Sequence, residues 1–216
     1  MTTLRLAMAA ALTALTLAAP VTAAHAGDTA TGAAAAVTAQ QALAQVQAAA
    51  TAHQGQRTAT GVTAHDSAPF FFHVRAYGDG YCLDNFASGG GANNSPVGFW
   101  ACNGGPTELW RWRQYNSGTF YGWELVNNAS GRCLDYPESW GNTVGGQFNV
   151  YDCKDGAAPG QTFHAYVSGS NISLTSPKTP SVVALDGYSS YWHGNGSPVG
   201  LWYADTGNFN AWQTWY

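Results

Sequence analysis

Charge is scarce in this chain of 216 residues. Only 9% of the residues are Asp, Glu, Lys or Arg, against about 25% in an average soluble protein, which excludes coiled coils and other highly charged designs. Eight basic residues stand against 12 acidic ones, too few to build the basic surface that neutralises phosphates. Nucleic acid is therefore not predicted as a partner.

Long apolar runs are missing as well. The longest candidate, 6–19, follows a single early cation, Arg5, and is closed by Pro20, short of the roughly 20 apolar residues that a membrane-spanning helix needs. The small-x-small pattern Ala-His-Ala follows at 24–26. This arrangement predicts a signal peptide over 1–26, cleavage near Ala26, a secreted mature chain and no membrane insertion.

The next stretch, 27–69, has almost no aromatic residue, cysteine or charge. It is rich in Ala, Thr and Gln, a composition typical of a low-complexity linker. Within it, 38–47 has helix propensity but only Leu43 and Val46 to bury. Because an isolated short helix is marginal in water, we expect a frayed helix or coil there.

Aromatic residues and glycine are abundant, at 13% and 26 residues respectively. This mixture favours short strands and tight turns, and so an all-β fold. A repeat of 51 residues is superimposed on it: Cys-Leu-Asp occurs at 82–84 and 133–135 and Ala-Leu-Asp at 184–186, and Trp-Ala-Cys, Tyr-Asp-Cys and Trp-Tyr-Ala occur at 100–102, 151–153 and 202–204. The sequence therefore contains three copies of one unit.

The repeat also predicts how the four cysteines pair. Four cysteines allow three pairings, but in the third copy both equivalent positions are Ala, and a joint loss indicates a joint bond. We expect disulfides Cys82–Cys102 and Cys133–Cys153, formed after export. The spacing does not fit a Cys-x-x-Cys zinc knuckle, so no metal and no cofactor are predicted.

Each copy of about 50 residues is too small to bury its own apolar face. Three such copies can share one core around a pseudo-threefold axis. This predicts a β-trefoil over 70–216, with Trp112, Phe163 and Trp215 at its centre.

The repeats resemble those of the ricin B-chain type β-trefoil lectins, in which Cys-Leu-Asp, aromatic-x-Cys and Gln-x-Trp elements recur. The resemblance covers about 70–216. The third element is present as Gln-x-aromatic at 161–163 and 213–215, whereas the first copy has 108–110 or 110–112 in its place. Membership of this family implies a carbohydrate-binding protein whose partners are glycans or polysaccharides.

A sugar presents a face of C–H groups and a fringe of hydroxyls, which an exposed aromatic ring beside a carboxylate can bind. The resemblance assigns the carboxylate and stacking-ring roles to matching positions and adds a nearby amide, for which Gln161 and Asn210 fit, Gln213 less closely. In the first copy Thr107 and Glu108 depart from this pattern. The alternative role for each Asp is to cap a turn by accepting backbone N–H groups. The predicted pairs are Asp84 with Trp100, Asp135 with Tyr151, and Asp186 with Trp202.

The sequence thus predicts a secreted, non-enzymatic lectin with up to three shallow sites for galactose- or xylan-type glycans. The candidate acids recur once per copy, which is typical of repeated ligand pockets and not of a single active centre, and no Gly-x-Ser-x-Gly nucleophile motif is present. Two alternatives remain: a non-sugar interaction protein, inhibitor-like or a scaffold, that binds through the loops 88–94 and 189–194, and, less favoured, a glycosidase.

Overall fold

The computed structural model describes residues 38–45, 65–86, 89–116, 121–141, 143–154, 158–178, 181–204 and 207–216. The predicted signal peptide and most of the predicted linker lie outside these ranges. The described residues form twelve strands: β1 His65–Asp66, β2 Phe70–Phe71, β3 Tyr81–Asn85, β4 Ser95–Ala101, β5 Leu109–Asn116, β6 Tyr121–Asn127, β7 Cys133–Asp135, β8 Asn149–Tyr151, β9 His164–Ser168, β10 Asn171–Thr175, β11 Val183–Asp186 and β12 Gly200–Tyr203.

The strands form two antiparallel sheets. One has eight strands in the order β1-β5-β6-β7-β8-β4-β3, with β2 also paired to β5, and the other has the order β12-β11-β10-β9. Backbone hydrogen bonds from Phe148 to the carbonyl of Val199 (2.8 Å) and from Phe99 to that of Ser197 (2.8 Å) connect the sheets. The architecture is a β-trefoil, as the sequence predicts.

The spacing of 51 residues appears as a common pairing register. In each copy the strand with the Cys-Leu-Asp or Ala-Leu-Asp motif pairs with the strand that carries the predicted stacking ring. The first residue of the motif lies opposite that aromatic residue. The three cross-strand pairs are Cys82 with Trp100, Cys133 with Tyr151, and Ala184 with Trp202.

Two disulfides close the first two copies. They join Cys82 to Cys102 and Cys133 to Cys153, with Cα atoms 5.2 and 5.0 Å apart, which confirms the predicted pairing. Each closes a loop of sequence separation 20 and stabilises the fold by about 3 kcal/mol in the chain-entropy model.

The core consists of apolar side chains from all three copies. Trp112, Phe163 and Trp215, predicted to be central, are all fully buried. In the first copy, however, Trp110 is the closer counterpart of Trp215, because their indole N–H groups donate to the carbonyls of Leu83 (2.8 Å) and Leu185 (3.2 Å) in the same way. The element that replaces Gln-x-Trp in the first copy is therefore 108–110.

Two described parts of the predicted linker pack against the trefoil. A helix over 39–45 begins with a capping box, since the Thr38 hydroxyl accepts the Gln41 N–H (3.2 Å) and the Gln41 side chain accepts the Thr38 N–H (3.0 Å). Leu43 on this helix is buried in the core, and the indole of Trp112 donates to the carbonyl of Ala39 (2.9 Å).

The second part is β1, which begins five residues before the predicted start of the domain. It pairs with β5, and Asp66 on it forms ion pairs with Arg111 (2.9 Å) and Arg113 (3.0 Å). No helix in the described ranges is long and apolar enough to cross a membrane.

Candidate functional site

The third copy contains a surface hollow of about 190 Å³. Three of the predicted site residues, Asp186, Trp202 and Asn210, lie together in its wall. The hollow is completed by aromatic and hydroxyl side chains from the turn after β11 and from the chain that follows β12: Tyr188, Ser189, Ser190, Tyr191 and Trp212.

Strand alternation places the ring and the carboxylate. On β12, Leu201 points into the core and is fully buried, so its neighbour Trp202 points outward and is 44% exposed. Gly200, opposite Asp186 at the start of β12, is required by packing, because a Cβ there would come within 2.7 Å of the phenol ring of Tyr188. The paired strands thus place an exposed indole beside the carboxylate at the end of β11.

The carboxylate of Asp186 is nearly buried, with 5% of the residue exposed. One of its oxygens accepts the backbone N–H of Tyr188 at 2.6 Å, so the turn-capping role that the sequence left open is also present. Burial raises the pKa of Asp186, against the lowering effects of the Tyr188 N–H and the Gln213 side chain. A carboxylate has more acceptor sites than the Tyr188 N–H and the Gln213 side chain use, so Asp186, in the wall of the hollow, remains an acceptor for a ligand.

Asn210 also lines this hollow. Its side-chain oxygen accepts the N–H of Trp212 (2.8 Å), so its amide NH₂ is the group it offers to a ligand. Tyr188, Tyr191 and Trp212 were not predicted as sugar-site residues. Tyr191 lies in the loop 189–194, which was predicted to bind a non-sugar partner in the alternative hypothesis. The position of this loop directly after Ala-Leu-Asp is the sequence feature that could have assigned it to the sugar site.

The second copy differs from this arrangement. Asp135 lies beside a hollow of about 240 Å³ whose charged lining residues include Glu138, Lys154 and Lys178. The predicted ring, Tyr151, is half-buried, and the ammonium of Lys154 lies 5.5 Å from its centroid. Tyr151 is not among the residues that line this hollow.

Burial and neighbouring groups act on Asp135 of the second hollow in opposite directions. Burial is the largest effect and raises the pKa of Asp135, while Lys154, Gln161 and Lys178 act to lower it. Lys154 forms an ion pair with Glu138 at 3.0 Å. The second hollow therefore has both positive and negative side chains in its lining. In the third hollow, the charged residue among those that line it is Asp186.

Two buried side chains, at the Gln-x-aromatic element of the second copy and at its counterpart in the first copy, form hydrogen bonds to the main chain. Gln161 is fully buried, accepts the N–H of Lys154 (2.9 Å) and donates to the carbonyl of Asp152 (3.1 Å). Glu108 takes the equivalent place in the first copy, where its carboxylate accepts N–H groups from Asn103 and Gly104. Gln161 thus holds the chain that follows β8 and does not reach the surface of the hollow.

In the first copy the two residues of the predicted pair have partners of their own. Trp100 is 40% exposed and packs edge-on against Phe86, with centroids 5.9 Å apart. Asp84 is buried and accepts the hydroxyl of Thr107 at 3.0 Å. Burial raises the pKa of Asp84 to about 6, against the lowering effect of that hydrogen bond.

One cluster carries ligand types that metals use. Nδ1 of His73 lies 3.7 and 3.6 Å from the sulfurs of Cys82 and Cys102, and burial lowers the pKa of His73. Metals bind thiolates, and here both sulfurs are joined in a disulfide. In its oxidised form the protein therefore does not offer this cluster as a metal site.

A comparison with protein families matches the chain to the ricin-type beta-trefoil lectin domain-like family over residues 65–145 and 110–202. A comparison with curated proteins gives no match. Among solved structures, the chain is similar to ThreeFoil, a designed 3-fold symmetric protein (20% identity, TM-score 0.51), over 68% of this chain and 95% of that one.

Two larger structures contain a similar fold. One is a mosquitocidal holotoxin (14% identity, TM-score 0.54) and the other a GlcNAcα1-4Gal releasing endo-β-galactosidase from Clostridium perfringens (12% identity, TM-score 0.51). Both similarities cover 68% of this chain, but only 16% of the holotoxin and 31% of the endo-β-galactosidase. At these identities the likeness establishes the fold. Because the family match extends over more than half of its length, the chain belongs to the ricin-type β-trefoil lectin domain-like family.

Proposed function

We propose that this protein is a secreted carbohydrate-binding lectin whose principal sugar site is the hollow of the third copy. The observation that carries the proposal is that Asp186, Trp202 and Asn210 line one hollow. Each offers a chemically different group, namely an acceptor, an apolar face and a donor. Galactose- and xylan-type glycans are the ligands proposed.

These groups suit the two kinds of surface on a sugar. The indole of Trp202 supplies a rigid apolar face for C–H groups with little conformational entropy to lose. The carboxylate of Asp186 accepts hydroxyl hydrogens in charge-assisted bonds. The amide of Asn210 donates to a ring or hydroxyl oxygen. A shallow site of this kind is expected to bind in the millimolar range, about −4 kcal/mol.

The composition of the hollow favours binding over hydrolysis. A glycosidase of the common type places two carboxylic groups on either side of the bond that is cleaved. Asp186 is the carboxylate among the residues that line the third hollow. Such a site can hold a sugar, and among the described residues its lining contains no second acidic side chain for that mechanism.

The second hollow supports a weaker or different specificity. Lys154 covers Tyr151, so a neutral sugar would have to displace an ammonium group to stack on the ring. The first copy keeps an exposed indole, but Thr107 and Glu108 stand where the family pattern has an amide, and they are bound to Asp84 and to backbone N–H groups. We therefore assign the main affinity to the third copy.

The test is a glycan array carrying galactose- and xylan-type ligands. Trp202→Ala is expected to weaken binding about tenfold or more, since it removes the stacking face, whereas the matched controls Trp100→Ala and Tyr151→Ala leave most of it. If Trp202→Ala binds like the wild-type protein, the third hollow is not the principal site. Binding to a protein partner that free sugars do not reduce would instead favour the non-sugar interaction hypothesis.

A further inference from the structure

A third exposed indole, that of Trp140, lies on the surface outside the predicted sites. It is 46% exposed, about as much as Trp202 at 44%, and belongs to the single 3-10 turn Glu138–Trp140 of the second copy. An exposed aromatic ring is notable where it adjoins a binding surface. An exposed Trp140 would therefore matter for binding if it lies close to the third hollow.

Two consecutive glycines each adjoin one of these two indoles. A Cβ on Gly145 would lie 3.5 Å from Cζ3 of Trp202, and a Cβ on Gly146 would come within 2.6 Å of the ring of Trp140. One indole edge therefore adjoins Gly145 and the other ring covers the Cα of Gly146. Because neighbouring Cα atoms are about 3.8 Å apart, a strip of only two residues, Gly145 and Gly146, connects the two rings.

The strip itself is held from both sides. The N–H of Gly146 donates to the hydroxyl of Tyr136 (2.9 Å) and its carbonyl accepts from the hydroxyl of Tyr188 (2.8 Å). The N–H of Gly145 donates to the carbonyl of Leu201 at 3.0 Å. A surface fixed by three hydrogen bonds is preorganised, which lowers the entropy lost on binding.

We propose that the third hollow continues across Gly145 and Gly146 to Trp140, so that the protein binds several consecutive units of a polysaccharide chain. This inference rests on the proposed function, because it assigns Trp202 and Asp186 to the first sugar unit. Trp140 supplies a second stacking face for a unit further along the same chain. Gly145 leaves the exposed backbone beside Trp202 free of a side chain, and the ring of Trp140 covers the buried Gly146, so that the chain can pass from one ring to the other.

The experiment is calorimetric titration with xylose and xylotetraose and with galactose and galactotetraose. We expect the wild-type protein to bind one tetrasaccharide about tenfold more tightly than its monosaccharide, the gain expected from one additional aromatic contact. Trp140→Ala is expected to remove this gain and leave the monosaccharide affinity unchanged. Trp100→Ala, which removes an equally exposed indole in the first copy, is the matched control and keeps the gain.

A second variant tests the geometry without removing the ring. Gly146→Ala adds a methyl group that must displace the indole of Trp140, and it should reduce the gain in the same direction. Equal affinities for monosaccharide and tetrasaccharide in the wild-type protein, or an unchanged gain in Trp140→Ala, overturn the inference while the lectin function stands. Absence of binding to all four sugars refutes the proposed function for these glycan classes, and the inference fails with it.

Discussion

Replacing Asp186 with Asn separates the contribution of the carboxylate to binding from its contribution to folding. The amide has nearly the same shape, and its oxygen can still accept the N–H of Tyr188 that now bonds to the carboxylate at 2.6 Å. The turn after β11 is thus retained. What the variant loses is the negative charge of a side chain in the wall of the hollow.

The expected loss of affinity follows from the strength of charged hydrogen bonds. A hydrogen bond to a charged acceptor contributes about 1.5–3 kcal/mol and one between neutral groups about 0.5–1.5 kcal/mol. Asp186→Asn should therefore weaken sugar binding by about 1–2 kcal/mol, which is about 5- to 30-fold in Kd. In the wild-type protein, binding should weaken as the pH falls through the raised pKa of Asp186, because protonation removes the same charge.

Asp186→Asn should weaken sugar binding but increase the stability of the fold. Burial raises the pKa of Asp186 in the folded protein, so the charged form disfavours folding at any pH above that folded-state value. The penalty shrinks as the pH falls and vanishes below the pKa of the unfolded chain. Asp186→Asn should therefore melt at a higher temperature than the wild-type protein near pH 8, and the difference should narrow in acid.

Calorimetric titration and thermal melts across pH measure both effects. The matched control is Asp84→Asn, the same change at the equivalent position of the first copy, which should leave affinity within about twofold of the wild-type value. If Asp84→Asn abolishes binding and Asp186→Asn does not, the assignment of the principal site to the third copy is refuted. A pH-independent melting difference for Asp186→Asn would refute the account of its buried charge.

Three further predictions address the fold. Because burial raises the pKa of Asp84 to about 6, the stability gained by Asp84→Asn near pH 8 should decline as the pH falls through 6, which melts at matched pH values will show. Leu43→Ala should lower the free energy of unfolding by about 2–3 kcal/mol, since Leu43 is 2% exposed in the core; a denaturant titration without this shift contradicts the packing of helix 39–45. Replacing Cys133 and Cys153 together with Ala should lower stability by about 3 kcal/mol while leaving the third hollow intact, so that sugar binding below the melting temperature stays unchanged.

The sequence was most informative where a period fixed the geometry. The repeat of 51 residues predicted three copies of one unit, and the cross-strand register repeats accordingly, with Ala184 opposite Trp202 as Cys82 is opposite Trp100. Strand alternation explains why Trp202 points outward, since its neighbour Leu201 is buried. Both features depend on backbone periodicity, which side-chain substitutions in the loops do not change.

The sequence was less informative where a single side chain determined the outcome. Gln161 matches the family pattern, but both ends of its amide bind the main chain, a role that residue type alone does not reveal. Lys154 lies only three residues after Tyr151, and its rotamer decides whether that ring is available. For the helix over 39–45, the number of its own apolar residues predicted only a frayed helix or coil. It did not reveal the contact with the trefoil, in which the buried indole of Trp112 requires an acceptor and finds it in the carbonyl of Ala39.

The third copy shows how a site can stay rigid without the disulfide that closes the other two. Its Ala184 and Ala204 cannot form the bond that joins Cys82 to Cys102, yet the hollow lies directly beside this strand pair. In that copy the hydroxyl of Tyr188 lies 2.8 Å from the carbonyl of Gly146 and 2.9 Å from that of Leu201. The buried Tyr188 thereby connects the turn that directly follows Asp186 both to β12 and to the second copy. Because one side chain fixes the carboxylate, the outward-facing indole and the glycine strip together, the third copy can expose more aromatic surface and still present a single geometry to a ligand.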